Sequence, residues 1–259
     1  MEHARAGVRA DGGARAAAGH AGERREAGRR GRDAGGGVSE EGSVPAVVSA
    51  QLAALGPYFA VEFHDPSQKP ESPWRSMAEL IDDSAVLEDR VAAVRVFLAS
   101  GTGQDADAVE LRVAASVVHL GLVARVLSPL FALAVEYRWC GSIGATDLRW
   151  QPGLASTFPL SMSETVPDEA GVGDIVTELE TAIAGFGVNR HILRGNVASA
   201  LAGAGRTLAA ARPDLRDRSQ ARLAELLAGP RLVGSGELET DGTFRRRSCC
   251  LIYRAAPER

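Results

Sequence analysis

Lysine is almost missing from this chain: Lys69 is the only one, and every other basic residue apart from histidine is arginine. That bias matches GC-rich coding and carries no functional message. Aromatic residues are also scarce, at 5% of 259 residues, while small apolar residues abound. This excludes a core built on large rings and suits one of Ala, Val and Leu at helical spacing. Charges of the two signs nearly cancel, for a formal net charge of −4. Global charge therefore gives no pull toward nucleic acid or an anionic membrane.

Cysteine is limited to Cys140, Cys249 and Cys250. An odd number with two adjacent excludes a secreted disulfide framework. A disulfide across a single peptide bond is strained, so the adjacent pair is a poor disulfide as well. A reducing, cytoplasmic compartment is expected. The first thirty residues are charged and lack an apolar stretch, so no signal peptide is expected. There is no catalytic triad, no HExxH and no zinc-ligand spacing. Gly234-Ser235-Gly236 lacks the strand-before, helix-after setting of a phosphate-binding loop.

Unbroken apolar runs are missing too. The best candidate for a membrane span, residues 113–135, contains His119, Arg125, Ser128 and Pro129. A charge near the centre of a span costs ~2.5–3.5 kcal/mol on insertion scales. We expect a buried core helix with Arg125 snorkelling or paired, and no transmembrane span.

What is present reads as a tail followed by one domain. Residues 1–43 are rich in Arg, Gly, Ala and Glu and hold too little apolar surface to offset ordering entropy. A disordered tail is expected there. A basic nucleic-acid arm around Arg24, Arg25, Arg29, Arg30 and Arg32 is the alternative, diluted by Glu23, Glu26 and Asp33. A mis-assigned start codon would look the same. From residue 44 to 259 the spacing predicts a single domain. Ser43 caps a first helix that Gly56-Pro57 ends, and residues 59–63 form a short strand. Leu87, Val91, Val94 and Leu98 mark an amphipathic helix closed by Gly101. Residues 106–139 form two helices or one kinked at Pro129. Strands follow at 147–150 and 157–160 around a Pro152-Gly153 turn, then helices at 174–186, 188–211 and 216–227. A turn at Asp241-Gly242 leads into an extended run over 244–253. No βαβ alternation appears, so the fold class is α+β, mostly helical, with a small strand patch and a short C-terminal extended segment.

The sharpest local feature is Arg245-Arg246-Arg247-Ser248-Cys249-Cys250. Cationic neighbours favour thiolate, the metal-binding form. Nearby arginine would also stabilise the negative charge of a thiolate-ligated [2Fe-2S] cluster. Adjacent residues in a regular strand face opposite ways, so both cysteines can bind one cluster only if the backbone leaves the strand there. The alternative is one buried and one exposed thiol on an edge strand with solvated arginines. His119 and His191 lie in helical patterns, as iron ligands or as satisfied helix histidines. Asn196 in mid-helix would bond a neighbouring backbone. Arg190 and Arg194, one turn apart, either join Arg245, Arg246 and Arg247 in an anion pocket or form a solvated face.

The string FRRRSCCLIYR resembles the C-terminal motif of the FhuF-like ferric-siderophore reductases. So do residues 111–135 and the helix HILRGNVASALAGAGRTL at 191–208, with Asp147-Leu148-Arg149-Trp150 in the place of a similar strand. The resemblance spans roughly residues 50–254. It implies a cytoplasmic [2Fe-2S] protein that reduces Fe(III) held by a hydroxamate-type siderophore with an electron from an external, unidentified donor, in peripheral association with a siderophore importer. Cys249 and Cys250 match the first two cluster ligands, and Arg245, Arg246 and Arg247 become siderophore contacts. The family pattern continues to a Cys-x-x-Cys a short distance downstream, whereas the nine residues after Cys250 contain no cysteine. Three accounts follow: a truncated or frameshifted 3′ end, a cluster shared by two chains, or a protein that has lost its cluster and binds siderophore or a partner. Cys140 is the remaining thiol that could serve as a third ligand, without support from the family pattern.

Overall fold

The computed structural model describes residues 44–139, 141–153, 155, 157–164, 174–239 and 242–255. The tail, the Ser43 cap, Cys140 and Asp241 lie outside the described residues. Those that are described form a mostly helical α+β fold, as the spacing predicts. In chain order the elements are α1 (Val44–Ala54), β1 (Glu62–His64), β2 (Arg75–Ser76), α2 (Glu79–Asp82), α3 (Ser84–Thr102), α4 (Leu111–Glu136), β3 (Leu148–Trp150), β4 (Leu160–Ser163), α5 (Ile175–Ala184), α6 (Arg190–Ala211), α7 (Arg216–Ala228), β5 (Gly236–Leu238) and β6 (Phe244–Arg246).

Local chemistry sets most helix ends. The Asp83 carboxylate caps α3 by accepting from Ala85 N–H, and Asp174 does the same for α5 through Val176 and Thr177. Helix α3 runs past Gly101 and stops at Gly103, whose φ of 69° suits a left-handed C-cap. Residues 111–136 make one helix rather than two. Pro129 removes one N–H from its ladder, and Ser128 Oγ donates to Ala124 O at 2.6 Å one turn back. Among the described residues α4 is the one helix long and apolar enough to cross a membrane, and 61% of its most apolar stretch is buried inside the fold.

Helices α4 and α6 form the central pair, with α3, α5 and α7 packed around them. Leu87, Val91 and Val94 are buried as the periodicity of α3 requires. A mixed sheet of order β1-β4-β3-β2 covers one side, its β1–β4 pair parallel and the others antiparallel. Two strands sit later than the sequence spacing predicts. β4 starts at Leu160 because Pro159 has no N–H to give a ladder. β1 starts at Glu62 because the carbonyls of Tyr58 and Ala60 are taken by Arg125.

The largest local difference is at the C-terminal end. The expected extended run over 244–253 stops at Arg246. β6 pairs with β5, where Gly236, expected in a loop, faces Arg246. Beyond Arg246 the backbone bends, Leu251 takes φ 65°, and a short 3-10 turn runs over Ile252–Ala255. The cause is burial: Leu251 and Ala255 turn inward against Ala99, Val109 and Val113 in a small apolar cluster apart from the main core.

Candidate functional site

The Cys249-Cys250 pair lies on the turn between β6 and that final 3-10 turn, held at both ends. On the N-terminal side the holder is Arg246. Its half-buried guanidinium donates to Asn196 Oδ1 (2.7 Å), Ile192 O (2.9 Å), Ser248 Oγ (3.0 Å) and Cys249 O (3.3 Å). The first two acceptors belong to α6 and the last two to the turn, so one side chain pins the turn to the helix. Gly195 makes the contact possible. A Cβ there would come within 2.1 Å of Ser248 Oγ and 2.7 Å of Arg246 Nε. On the C-terminal side Leu251 is buried, Arg254 pairs with Glu110 at 2.7 Å, and Gln104 donates to Ala255 O at 2.9 Å.

Behind Arg246 lies a buried polar chain. Since a guanidinium only donates, the oxygen of Asn196 must face it, which turns the Asn196 amide nitrogen inward. That nitrogen donates to Ser116 O (3.0 Å) and His119 Nδ1 (3.1 Å). Ser116 Oγ in turn donates to Cys250 O at 3.2 Å. Both peptide carbonyls of the cysteine pair are thereby fastened, one through Arg246 and one through α4. With Nδ1 accepting, the ring proton of His119 sits on Nε2, which is buried without a partner among the described residues. His119 thus offers no free lone pair to an iron ion and is only half satisfied as a helix histidine.

Burial, reinforced by Arg246 and Arg231, lowers the His119 pKa from its ordinary 6.5 to about 3. The unfolded chain takes up this proton near pH 6.5 and the folded chain only near pH 3. Stability tied to neutral His119 is therefore full above pH 6.5 and falls as pH drops toward 3. The slope is at most about 1.4 kcal/mol per pH unit. Half-buried His64, lowered to about 4 by burial first and Arg149 second, adds a smaller, solvent-screened slope of the same sign. Urea midpoints measured from pH 7 to pH 4 should fall steadily, and His119→Gln should flatten that fall. An unchanged slope in the variant would mean His119 is not the group responsible.

The backbone leaves the strand before the cysteines, as joint ligation of one cluster would require. Cys249 is exposed and Cys250 half-buried. The Leu251 N–H donates to Cys249 Sγ at 3.3 Å. Both thiols are near enough to Arg246 to favour its charged form, against the burial that otherwise lowers its pKa. Arg245 and Arg247 stand on the other, exposed side. Arg245 bonds Glu239 (3.0 Å) and Glu237 (3.2 Å), and Arg247 also bonds Glu237. Arg246 therefore works apart from the other two, and of the three it alone bonds both α6 and the cysteine turn. No group of three or more His, Cys, Asp or Glu side chains arranged to hold a metal occurs among the described residues.

The sequence reading paired Asn196 with a backbone group and missed its bond to Arg246, fifty positions away. The signal that could have found it is Gly195-Asn196 itself. Both are weak helix formers inside a 22-residue helix, beyond its first turn, which calls for a packing reason. No family model, curated protein or solved structure matches the chain.

Proposed function

We propose that this chain is an iron-sulfur protein of the ferric-siderophore reductase type, in which Cys249 and Cys250 hold one side of a [2Fe-2S] cluster. The observation that carries this reading is the cysteine turn: two adjacent thiols outside any strand, fastened at both ends, with an N–H on Cys249 Sγ and the Arg246 guanidinium on Cys249 O. Thiolate ligands, backbone N–H groups on sulfur and nearby positive charge are what a negatively charged cluster uses. The donor set fits half of such a cluster, and two further ligands are needed that the described residues do not supply.

When bound, the cluster supplies one electron at a time. The chemistry is Fe(III) plus one electron giving Fe(II), with the electron coming from an external donor protein or cofactor. Siderophores bind Fe(III) far more tightly than Fe(II), so the reduction releases the metal in the cytoplasm. The chain's own residues fix the two sulfurs through Arg246, Ser116 and Leu251 and keep positive charge beside them. The absence of a third donor among the described residues favours a second reading, a cluster-free protein that binds siderophore or a partner.

Anaerobic reconstitution with iron and sulfide separates the two. Two irons per chain, an EPR signal after reduction and loss of both in Cys249→Ser and Cys250→Ser is the expected result. One iron per chain in a dimer would mark a cluster shared by two chains. No bound iron leaves the cluster-free reading.

A further inference from the structure

A cleft of about 380 Å³ runs along the seam of the two central helices and shares no residue with the cysteine turn. Helices α4 and α6 run in the same direction. Ser116 meets Asn196 near one end, and at the other Phe131 stands 3.5 Å from the Cβ that Gly205 would carry. Between these contacts small side chains leave the seam open, Ala124 and Ser128 on α4 and Ala200, Gly203 and Ala204 on α6. At Gly203 an added Cβ would meet nothing within 4 Å. The segment after α1 supplies the outer wall with Leu55, Tyr58 and Phe59. That wall is fixed, because Arg125 holds the carbonyls of Tyr58 and Ala60.

The lining is apolar apart from hydroxyls and Arg206, which is the one charged side chain among the described residues that form it. Arg206 makes no hydrogen bond or ion pair with another described residue. It also borders a neighbouring cleft, where the one carboxylate, Glu239, is already held by Arg245 at 3.0 Å. Size and shape narrow the ligand further. The volume lies within the ~300–1,000 Å³ that encloses a whole small molecule. Leu120 to Ser128 and Ser199 to Thr207 each span about 12 Å at the helical rise per residue, so the seam is long. A long apolar seam with one cation beside it is complementary to an elongated apolar body with one anionic group. The planar fork of a single arginine matches a carboxylate, with the Thr207 hydroxyl next to it.

We infer that this cleft binds a medium-chain alkyl carboxylate, with its chain along the α4–α6 seam and its carboxylate on Arg206. The inference draws on the cleft alone and is independent of the reductase reading. Burial of the chain supplies the affinity, and Arg206 supplies the selection for negative charge.

Titration calorimetry on the full chain, with no iron added, tests this with decanoate, decanol and decyltrimethylammonium, each below the concentration at which it self-associates. Decanoate should bind about tenfold tighter than decanol, the size of one charge-assisted contact, and the cation should bind weakest. From butanoate to dodecanoate the affinity should rise about fourfold per methylene and stop rising once the seam is full. Gly203→Leu should fill the cleft and abolish binding, with its fold checked by the urea midpoint. Arg206→Gln, at an exposed position, should keep the decanol affinity and lose the preference for decanoate. Arg216→Gln, an exposed arginine of α7 outside this cleft, should keep both. Absence of binding, or equal binding of decanoate and decanol, by the wild type would overturn the inference. So would unchanged binding in a folded Gly203→Leu, a kept preference in Arg206→Gln, or an affinity that climbs with chain length and reaches no plateau. Should Gly203→Leu not fold, Arg206→Gln decides alone.

Discussion

Arg125→Leu should lose about 4 kcal/mol of folding stability, a large part of the ~5–15 kcal/mol of a typical domain. Arg125 is 2% exposed in the middle of α4 and donates to Phe158 O (2.8 Å), Tyr58 O (3.0 Å) and Ala60 O. Its guanidinium also lies 5.8 Å from the Phe158 ring. No carboxylate among the described residues pairs with it. Burial lowers its pKa to about 10, so it is protonated at neutral pH and its charge is met by carbonyl dipoles. The three carbonyls precede β1 and β4, the parallel neighbours of the sheet. One side chain therefore fastens the entry of both strands to the central helix. Leucine is apolar enough for the site but strands three acceptors, each worth ~1–3 kcal/mol when buried and unmet. Local relaxation and entering water reduce the sum to the figure above. Arg125→Lys should recover only part of the loss, because one ammonium cannot span three carbonyls in the plane of a fork. The measurement is the urea midpoint of each variant, and a loss below about 1 kcal/mol for leucine would mean that these acceptors find other partners.

Gly195→Ala should do the opposite: leave global stability nearly intact and detach the cysteine turn. In the helix interior alanine is favoured over glycine by about 1 kcal/mol. The added Cβ, however, would stand 2.1 Å from Ser248 Oγ and 2.7 Å from Arg246 Nε, distances at which those groups must move away. Arg246 then loses its grip on Asn196 and Ile192, and the turn keeps its Ser116 bond and the C-terminal anchors at Leu251, Arg254 and Ala255. Amide exchange over 247–255 should rise about tenfold, as local opening becomes easier by ~1.4 kcal/mol. Cys250 should become more open to alkylation. Gly203→Ala is the control, on the same helix with nothing within 4 Å of its Cβ. It should be neutral or slightly stabilising and leave the turn untouched. If the two variants exchange alike over 247–255, then Gly195 is not what lets the turn dock.

The helical frame of this protein is legible in short-range patterns along the chain. The i, i+4, i+7 spacing of Leu87, Val91 and Val94 and the Gly56-Pro57 end of the first helix are local signals, and local signals survive without knowledge of the fold. The sequence also marked the cysteine pair in its arginine-rich setting, together with the condition that the backbone leave the strand there. Tertiary structure alone decided how that condition is met. The bend after Arg246 follows from the burial of Leu251 and Ala255 against α3 and α4. The separation of Arg246 from Arg245 and Arg247 follows from which carboxylates and amides the hairpin and α6 bring to them. Periodicity says which face of an element is apolar, whereas the partner of a buried donor is chosen by whichever acceptor the fold delivers across fifty or more positions. For that reason Arg125 was readable as snorkelling or paired, and only the folded chain placed it 2% exposed against three carbonyls.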